Sequence, residues 1–214
     1  MFTGLVRGKG AVKAVESAPE GRRLQVEVEL AEADYPLGAS VAIAGVCLTV
    51  VASEAVPGAG SGRVVLSFEA AFETLDKTTL GGLSAGAAVN YEPSLRLGDA
   101  LGGHLVSGHV DGVGKLARSA RRGDAWEYWF QAPGPLMRFV APKGSICIDG
   151  VSLTVNAVDG NTFMVGLVPH TLEVTSLSAL EPGDAVNLEV DQLARYVVRA
   201  MEFDREDPGR TNDD

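Results

Sequence analysis

Apolar and polar residues alternate over LQVEVEL at 24–30, with Leu24, Val26, Val28 and Leu30 on one side and Gln25, Glu27 and Glu29 on the other. A period of two is the mark of a strand with one buried face. WEYWFQA at 126–132 is an aromatic-rich equivalent in the second half of the chain. Short apolar runs at FTGLV (2–6), VVLSFEAAF (64–72), VSGHV (106–110) and TFMVGLVPH (162–170) predict further strands. SVAIAGVCLTV at 40–50 and SICIDGVSLTV at 145–155 each read as strand, tight turn, strand. Asp149-Gly150 is a strong two-residue turn, because a type I′ turn needs positive φ, and Ala44-Gly45 is a weaker form of the same turn. The pattern changes only at the end. Leu193, Tyr196, Val197, Ala200 and Met201 recur at helical spacing, with Asp191 placed to cap the helix. That stripe is narrow and the helix short, so it needs a partner, either a barrel or copies of itself.

These elements occur twice. The two hairpins share Ser40/Ser145, Ile43/Ile148, Gly45/Gly150, Val46/Val151, Leu48/Leu153, Thr49/Thr154 and Val50/Val155 at a constant offset of 105. Gly4 and Val6 lie over Gly108 and Val110 at an offset of 104. TLDKTTLGGLSAGAAVNYE at 74–92 lies over TLEVTSLSALEPGDAVNLE at 171–189 at an offset of 97. An insertion at 53–62, SEAVPGAGSG, accounts for the drop and predicts a flexible surface loop. The link GPLMRFVAPKG at 134–144 predicts a helical turn. Six short strands in each half, separated by glycine turns, define an all-β chain of two tandem homologous barrels or small sandwiches followed by one helix. The units are 1–97, 98–190, a helix at 191–204 and a charged tail at 205–214 expected to be disordered.

The 26 glycines among 214 residues agree with many tight turns. A net charge of −10 argues against a general nucleic-acid binder and against electrostatic attachment to an anionic membrane. Two cysteines, Cys47 and Cys147, are too few for a disulfide framework or a Cys-based zinc site. MFTGLVRGKG lacks the apolar core of a signal peptide, and no run is apolar enough to span a bilayer. A cytoplasmic protein is the expectation.

The most telling difference between the hairpins is Cys47 in the first against Ser152 in the second. Residue type alone favours a buried apolar cysteine. Cys147 corresponds to Ala42, so the two cysteines are not equivalent. His104 and His109 in GGHLVSGHV are two of three histidines. Five residues apart on an extended segment they point to opposite faces, a poor arrangement for a shared metal. His109 can be a satisfied structural histidine or an acid/base group working near neutral pH. Asp191 aligns with Ser94, a second asymmetry, although an N-cap alone explains it. Ser40, Thr49, Ser152 and Thr154 put hydroxyls on the hairpins, where turn chemistry and strand propensity are the plain explanation.

MFTGLV, GASVAIAGVCLTV, ETLDKTTLG, GGHLVSGHVDG and KGSICIDGVSLTV, in this order and spacing, resemble the riboflavin synthase family of two-domain, lumazine-binding proteins over residues 1–200. The resemblance implies two Greek-key barrels and a helix that assembles a homotrimer. It implies an amino-terminal barrel facing the carboxy-terminal barrel of a neighbouring subunit, with association with lumazine synthase as a further possibility. It implies dismutation of two 6,7-dimethyl-8-ribityllumazine molecules without cofactor or metal. Two identical substrates need two similar sites held face to face. In the catalytic group it places Cys47, to position or be a nucleophile, His109 for acid/base work, and Ser152, Asp191 and Ser40. For the substrate it implies Gly4, Leu5, Val6, Cys47, Leu48, Thr49 and the run Glu69, Ala70, Ala71, Phe72, Glu73, Thr74. From the second half it implies Gly108, His109, Val110, Ser152, Leu153, Thr154 and the run Gly166, Leu167, Val168, Pro169, His170, Thr171. Lys143 would reach a neighbour's ligand. His104 is a hinge residue only by this resemblance. His170 and Phe72 depart from the family, which usually has an acidic residue at the first position and often a basic or polar one at the second. A non-catalytic lumazine- or flavin-binding protein of the same fold is the alternative. A flavin oxidoreductase would need a dinucleotide module, and no G-x-G-x-x-G follows a strand.

Overall fold

The computed structural model describes residues 1–57 and 62–206, with side chains through Phe203. The first barrel is built from β1 (Gly8–Ala18), β2 (Gly21–Glu29), β3 (Ser40–Ile43), β4 (Val46–Ala55), β5 (Arg63–Ala71) and β6 (Ala88–Pro93), with α1 (Phe72–Lys77) before β6. The second uses β7 (Gly112–Arg122), β8 (Ala125–Gln131), β9 (Ser145–Ile148), β10 (Val151–Asp159), β11 (Thr162–Leu167) and β12 (Ala185–Val190), with α2 (Pro169–Val174) before β12. Both sheets close, in the orders β1-β2-β5-β4-β3-β6 and β7-β8-β11-β10-β9-β12. All pairings are antiparallel, and the step from β2 to β3 passes over β5 and β4, which makes the order a Greek key. A final helix, α3, covers Gln192–Glu206.

Alternation decides what each barrel buries. Leu24, Val26 and Val28 of β2 point inward onto Ile43, Leu48, Leu66 and Phe68. Tyr128 and Phe130 of β8 meet Ile148, Phe163, Val165 and Leu188 in the same way. Register shifts fall at Val12/Ala14 and Val50/Ala52, and again at Leu116/Arg118 and Val155/Ala157. A bulge bends its strand, and the same bends in both halves close the same small barrel.

Three expectations are corrected. FTGLV and VSGHV are not strands. Phe2 and Val106 meet in one isolated antiparallel bridge, and the barrel strands start later, at Gly8 and Gly112. Positive φ at Gly4 (73°) and Gly108 (78°) turns the chain out of the extended form there. The runs ending at 72 and 170 stop short, because Phe72 and Pro169 open α1 and α2. The insertion at 53–62 begins as strand: Ser53, Glu54 and Ala55 pair with Leu66, Val65 and Val64. Residues 58–61 of that loop, and 207–214 of the tail expected to be disordered, lie outside the described residues.

The barrels dock about a local twofold axis. Both hairpin turns have positive φ at each central residue, Ala44 and Gly45 in one, Asp149 and Gly150 in the other. They meet tip to tip: a Cβ on Gly45 would come within 2.6 Å of the Gly150 nitrogen. Asn90 donates to the Asp149 carbonyl and accepts from the Ser176 N–H, while Asn187 donates to the Ala44 carbonyl and accepts from the Thr79 N–H. Phe2, Ala42, Val106 and Cys147 fill the space between the barrels.

Asp149 is buried at this junction, its Oδ1 accepting the Asn187 N–H at 2.8 Å. Burial pushes its carboxyl from 3.8 up to about 7. Between those values the folded chain keeps a proton that the unfolded chain has lost, so stability falls as pH rises through that window. Asp149→Asn keeps the acceptor and removes the charge. It is expected to raise the melting temperature at about pH 8 by several degrees and to flatten the acid-to-neutral slope in calorimetry. Glu92 and Glu189, also raised by burial, leave a residual slope of the same sign.

Candidate functional site

Pairing across β3 and β4 sets Ser40 opposite Thr49 and Ala42 opposite Cys47. Val41, Ile43 and Leu48 fill the core, so Ser40, Ala42, Cys47 and Thr49 face away from it. In β9 and β10 the equivalent outer set is Ser145, Cys147, Ser152 and Thr154. Cys147 is buried, whereas Cys47 is only partly so. The plain expectation for a cysteine therefore describes Cys147, not Cys47.

Each outer face is completed by the other repeat. The Cys47 N–H donates to the Gly108 carbonyl and the Ser152 N–H to the Gly4 carbonyl, both at 2.8 Å. A Cβ on Gly108 would come within 2.6 Å of Cys47 Cβ, and one on Gly4 within 2.5 Å of Ser152 Cβ. Only glycine fits these positions, by both space and φ. Val110 packs on the first core and Val6 on the second. Segment 108–110, with His109, thus belongs to the Cys47 face, and segment 4–6 to the Ser152 face.

Two buried carboxylates hold the exchanged segments. Glu189 accepts from the Ser107 N–H (2.6 Å), the Ser107 hydroxyl (2.7 Å) and the Gly108 N–H (2.9 Å). Glu92 accepts from the Thr3 N–H (2.7 Å), the Thr3 hydroxyl (2.7 Å) and the Gly4 N–H (3.0 Å). Burial raises both carboxyls above the usual range, and these donors offset only part of the rise.

The Cys47 face is bordered by the end of β5 and the start of α1. There Glu69 pairs with Arg23, Ala70 is buried, and Ala71, Phe72 and Glu73 are exposed. Lys77 bonds to Glu73 and holds its carboxyl below the usual range. The Ser152 face is bordered by Gly166, buried Leu167, exposed Val168, Pro169 and His170, and half-buried Thr171. Leu153 faces the core and Thr154 the outside. The Asp191 carboxylate accepts the Leu193 N–H, so it is the cap of α3. It also acts electrostatically on His104, whose Nδ1 is 2.6 Å from Ser152 Oγ. Lys143 is exposed beside β9 at φ 69°, a left-handed conformation where the first repeat has Gly38. The Ser40 carbonyl accepts the Ser94 N–H. Leu5 and His109, equivalent positions, are both exposed.

Sequence reasoning missed Glu92, Glu189, Asn90, Asn187 and the bond of His104 to Ser152. The first four were visible as identical polar pairs within strands, a place where an unpaired polar group is costly.

The family model for the lumazine binding domain matches residues 3–94 and again 107–191. A riboflavin synthase of Brucella abortus is 44% identical over 205 residues, covering 96% of this chain and 100% of that protein. One from Photobacterium phosphoreum is 38% identical, covering 96% of this chain and 91% of the relative. Among solved structures, LumP complexed with riboflavin superposes with a TM-score of 0.74 at 23% identity, over 89% of this chain and 99% of that one. LumP complexed with 6,7-dimethyl-8-(1'-D-ribityl) lumazine gives 0.72. Fold and geometry together define a duplicated barrel protein with two related, unequal outer faces. With the matches across both repeats, the chain belongs to the riboflavin synthase family of tandem lumazine-binding domains.

Proposed function

We propose that the chain is a riboflavin synthase. It passes a four-carbon unit between two 6,7-dimethyl-8-ribityllumazine molecules, giving riboflavin and 5-amino-6-(D-ribitylamino)uracil. The products together hold the atoms of two substrates, so no external oxidant or reductant enters. One observation carries this reading: two faces of the same architecture, each finished by the other repeat, differ at the central residue, Cys47 against Ser152. Such a pair can bind one kind of molecule twice and give it two fates.

At the first face we assign Cys47 to attack or to deliver a nucleophile to the ring, and His109, exposed on the 108–110 segment that completes this face, to take a methyl proton. Ser40 and Thr49 offer hydroxyls beside Cys47. Ser152, Thr154 and Asp191 line the other face. The complete site lies between subunits of a homotrimer, the first face of one opposing the second face of its neighbour. The apolar stripe of α3, with Leu193 and Tyr196 each 66% exposed, supports this, since a single chain leaves it uncovered. Lys143, held in an unfavourable backbone conformation, extends from the second barrel towards the neighbour's ligand. The cytoplasm is the proposed compartment, in keeping with two free thiols.

Purified protein given the lumazine alone is expected to form riboflavin, one for every two substrates consumed, followed by absorbance and chromatography. Tight lumazine binding without product would instead place the chain with ligand-binding relatives.

A further inference from the structure

Asn90 and Asn187 are each 1% exposed and stand on β6 and β12, the last strands of their barrels. Both amides reach across to the other barrel. Asn90 Nδ2 donates to the Asp149 carbonyl at 2.9 Å, and Asn90 Oδ1 accepts the Ser176 N–H at 2.7 Å. Asn187 Nδ2 donates to the Ala44 carbonyl and Asn187 Oδ1 accepts the Thr79 N–H, both at 2.8 Å. A carboxamide suits this task, since it donates and accepts at once without carrying charge into a buried place.

Each grip falls on the frame of one face. Asp149 lies three residues before Ser152, as Ala44 does before Cys47. Ser176 and Thr79 open the short turns Ser176–Ala179 and Thr79–Gly82, which follow α2 and α1, the helices at the borders of the two faces. The Thr175 and Thr78 hydroxyls donate to the Thr171 and Thr74 carbonyls, both at 2.6 Å, and tie each turn back to its helix. The strand β6 thus brings Asn90 and Glu92 to the Ser152 face, and β12 brings Asn187 and Glu189 to the Cys47 face.

The two grips are unequal. Lys9 stands opposite Asn90 across β1 and β6, and its ammonium donates to the Glu173 carbonyl of α2 at 2.8 Å. Opposite Asn187 stands Val113, which has no side-chain donor. The first barrel therefore holds α2 and its turn through both Lys9 and Asn90, where the second barrel holds the turn after α1 through Asn187.

We propose that control of the faces is crossed: Asn187 of the second barrel is a positioning residue for the Cys47 face, and Asn90 of the first barrel, with Lys9, positions the Ser152 face. The proposal rests on the reading of both faces as ligand sites.

A thiol on each face reads the two separately. Cys47 is the accessible native thiol, Cys147 being buried. Ser152→Cys on a Cys47→Ser chain moves the reporter to the second face. Alkylation by iodoacetamide is followed on the full-length protein with and without riboflavin, which gives the ligand affinity of one face at a time. Asn90→Ala is expected to weaken riboflavin protection at position 152 by about tenfold, the scale of one lost hydrogen bond in a buried place, and to leave protection of Cys47 unchanged. Asn187→Ala should do the reverse. Lys9→Met, at an exposed position, should weaken protection at position 152 by about threefold with the melting temperature unmoved. Lys9→Arg, which keeps a donor, should restore it. Equal losses at both thiols, or losses confined to the barrel that carries the substitution, overturn the proposal. So does a Lys9→Met chain whose second face is unchanged, a result still readable if neither asparagine variant folds. Riboflavin that protects neither thiol would sink the reading of the faces as ligand sites, while the alkylation rates without ligand still decide the crossing.

Discussion

A chain ending at Asp191 is expected to run as a monomer and to lose at least about a hundredfold in turnover, while its barrels still fold and bind riboflavin. Catalysis between two bound molecules depends on their being held together, and proximity of that kind is worth many orders of magnitude. In a single chain α3 exposes Leu193, Tyr196, Val197, Met201 and Phe203 on one helix. It is tied to its own barrel by ion pairs of Arg195 with Asp111 and Arg138 with Glu202. These hold the helix and leave its apolar residues exposed. Deletion would remove the seam proposed between subunits and leave both hydrophobic cores whole, since no described α3 side chain belongs to them. Sedimentation and turnover measured on one sample settle the matter. A monomer with full activity would mean that both substrates meet within one chain.

Glu189→Ala is expected to destabilise the fold by about 3 kcal/mol or more and to abolish most turnover. Three donors, the Ser107 N–H and hydroxyl and the Gly108 N–H, lose their acceptor at once, and each buried orphan costs about 1–3 kcal/mol. The freed segment is the one that sets Gly108 against Cys47 and carries His109 next to it. Glu189→Gln repairs only part of this, because an amide NH2 would face the Gly108 N–H. Glu92→Ala is the matched lesion, loosening Thr3 and Gly4 at the Ser152 face instead. Urea denaturation and steady-state rates on both variants give the comparison. A Glu189→Ala protein of native stability would show that water replaces the carboxylate, and that the segment needs no anchor.

Much of the architecture was legible because period and repetition are local signals. LQVEVEL became β2 with the predicted residues inside, and Asp149-Gly150 formed the expected turn. Cys47 against Ser152 stood out for the same reason. FTGLV misled, because its apolar residues serve different places: Phe2 is buried between the barrels, Leu5 is exposed and Val6 packs on the second core, a distinction that alternation cannot carry. The exchange of segments was invisible. It rests on contacts such as Gly4 to Ser152, nearly 150 residues apart in the chain, and a repeat aligned with itself does not say which copy each segment serves. The bond of His104 to Ser152 left no such signal, because the two are remote in sequence and Gly103 is what lets them approach.

The exchange of segments 4–6 and 108–110 bears on how such chains can recombine. A crossover near residue 98 swaps whole repeats, which looks like the modular cut. It would nevertheless part Cys47 from its own Gly108 and Ser152 from its own Gly4, mixing lineages at both faces. Cuts that keep 1–6 with the second barrel and 106–110 with the first would preserve both. Shuffled libraries built from relatives should therefore recover active members at the second kind of junction far more often than at the first. For this protein the unit of inheritance is the face rather than the repeat.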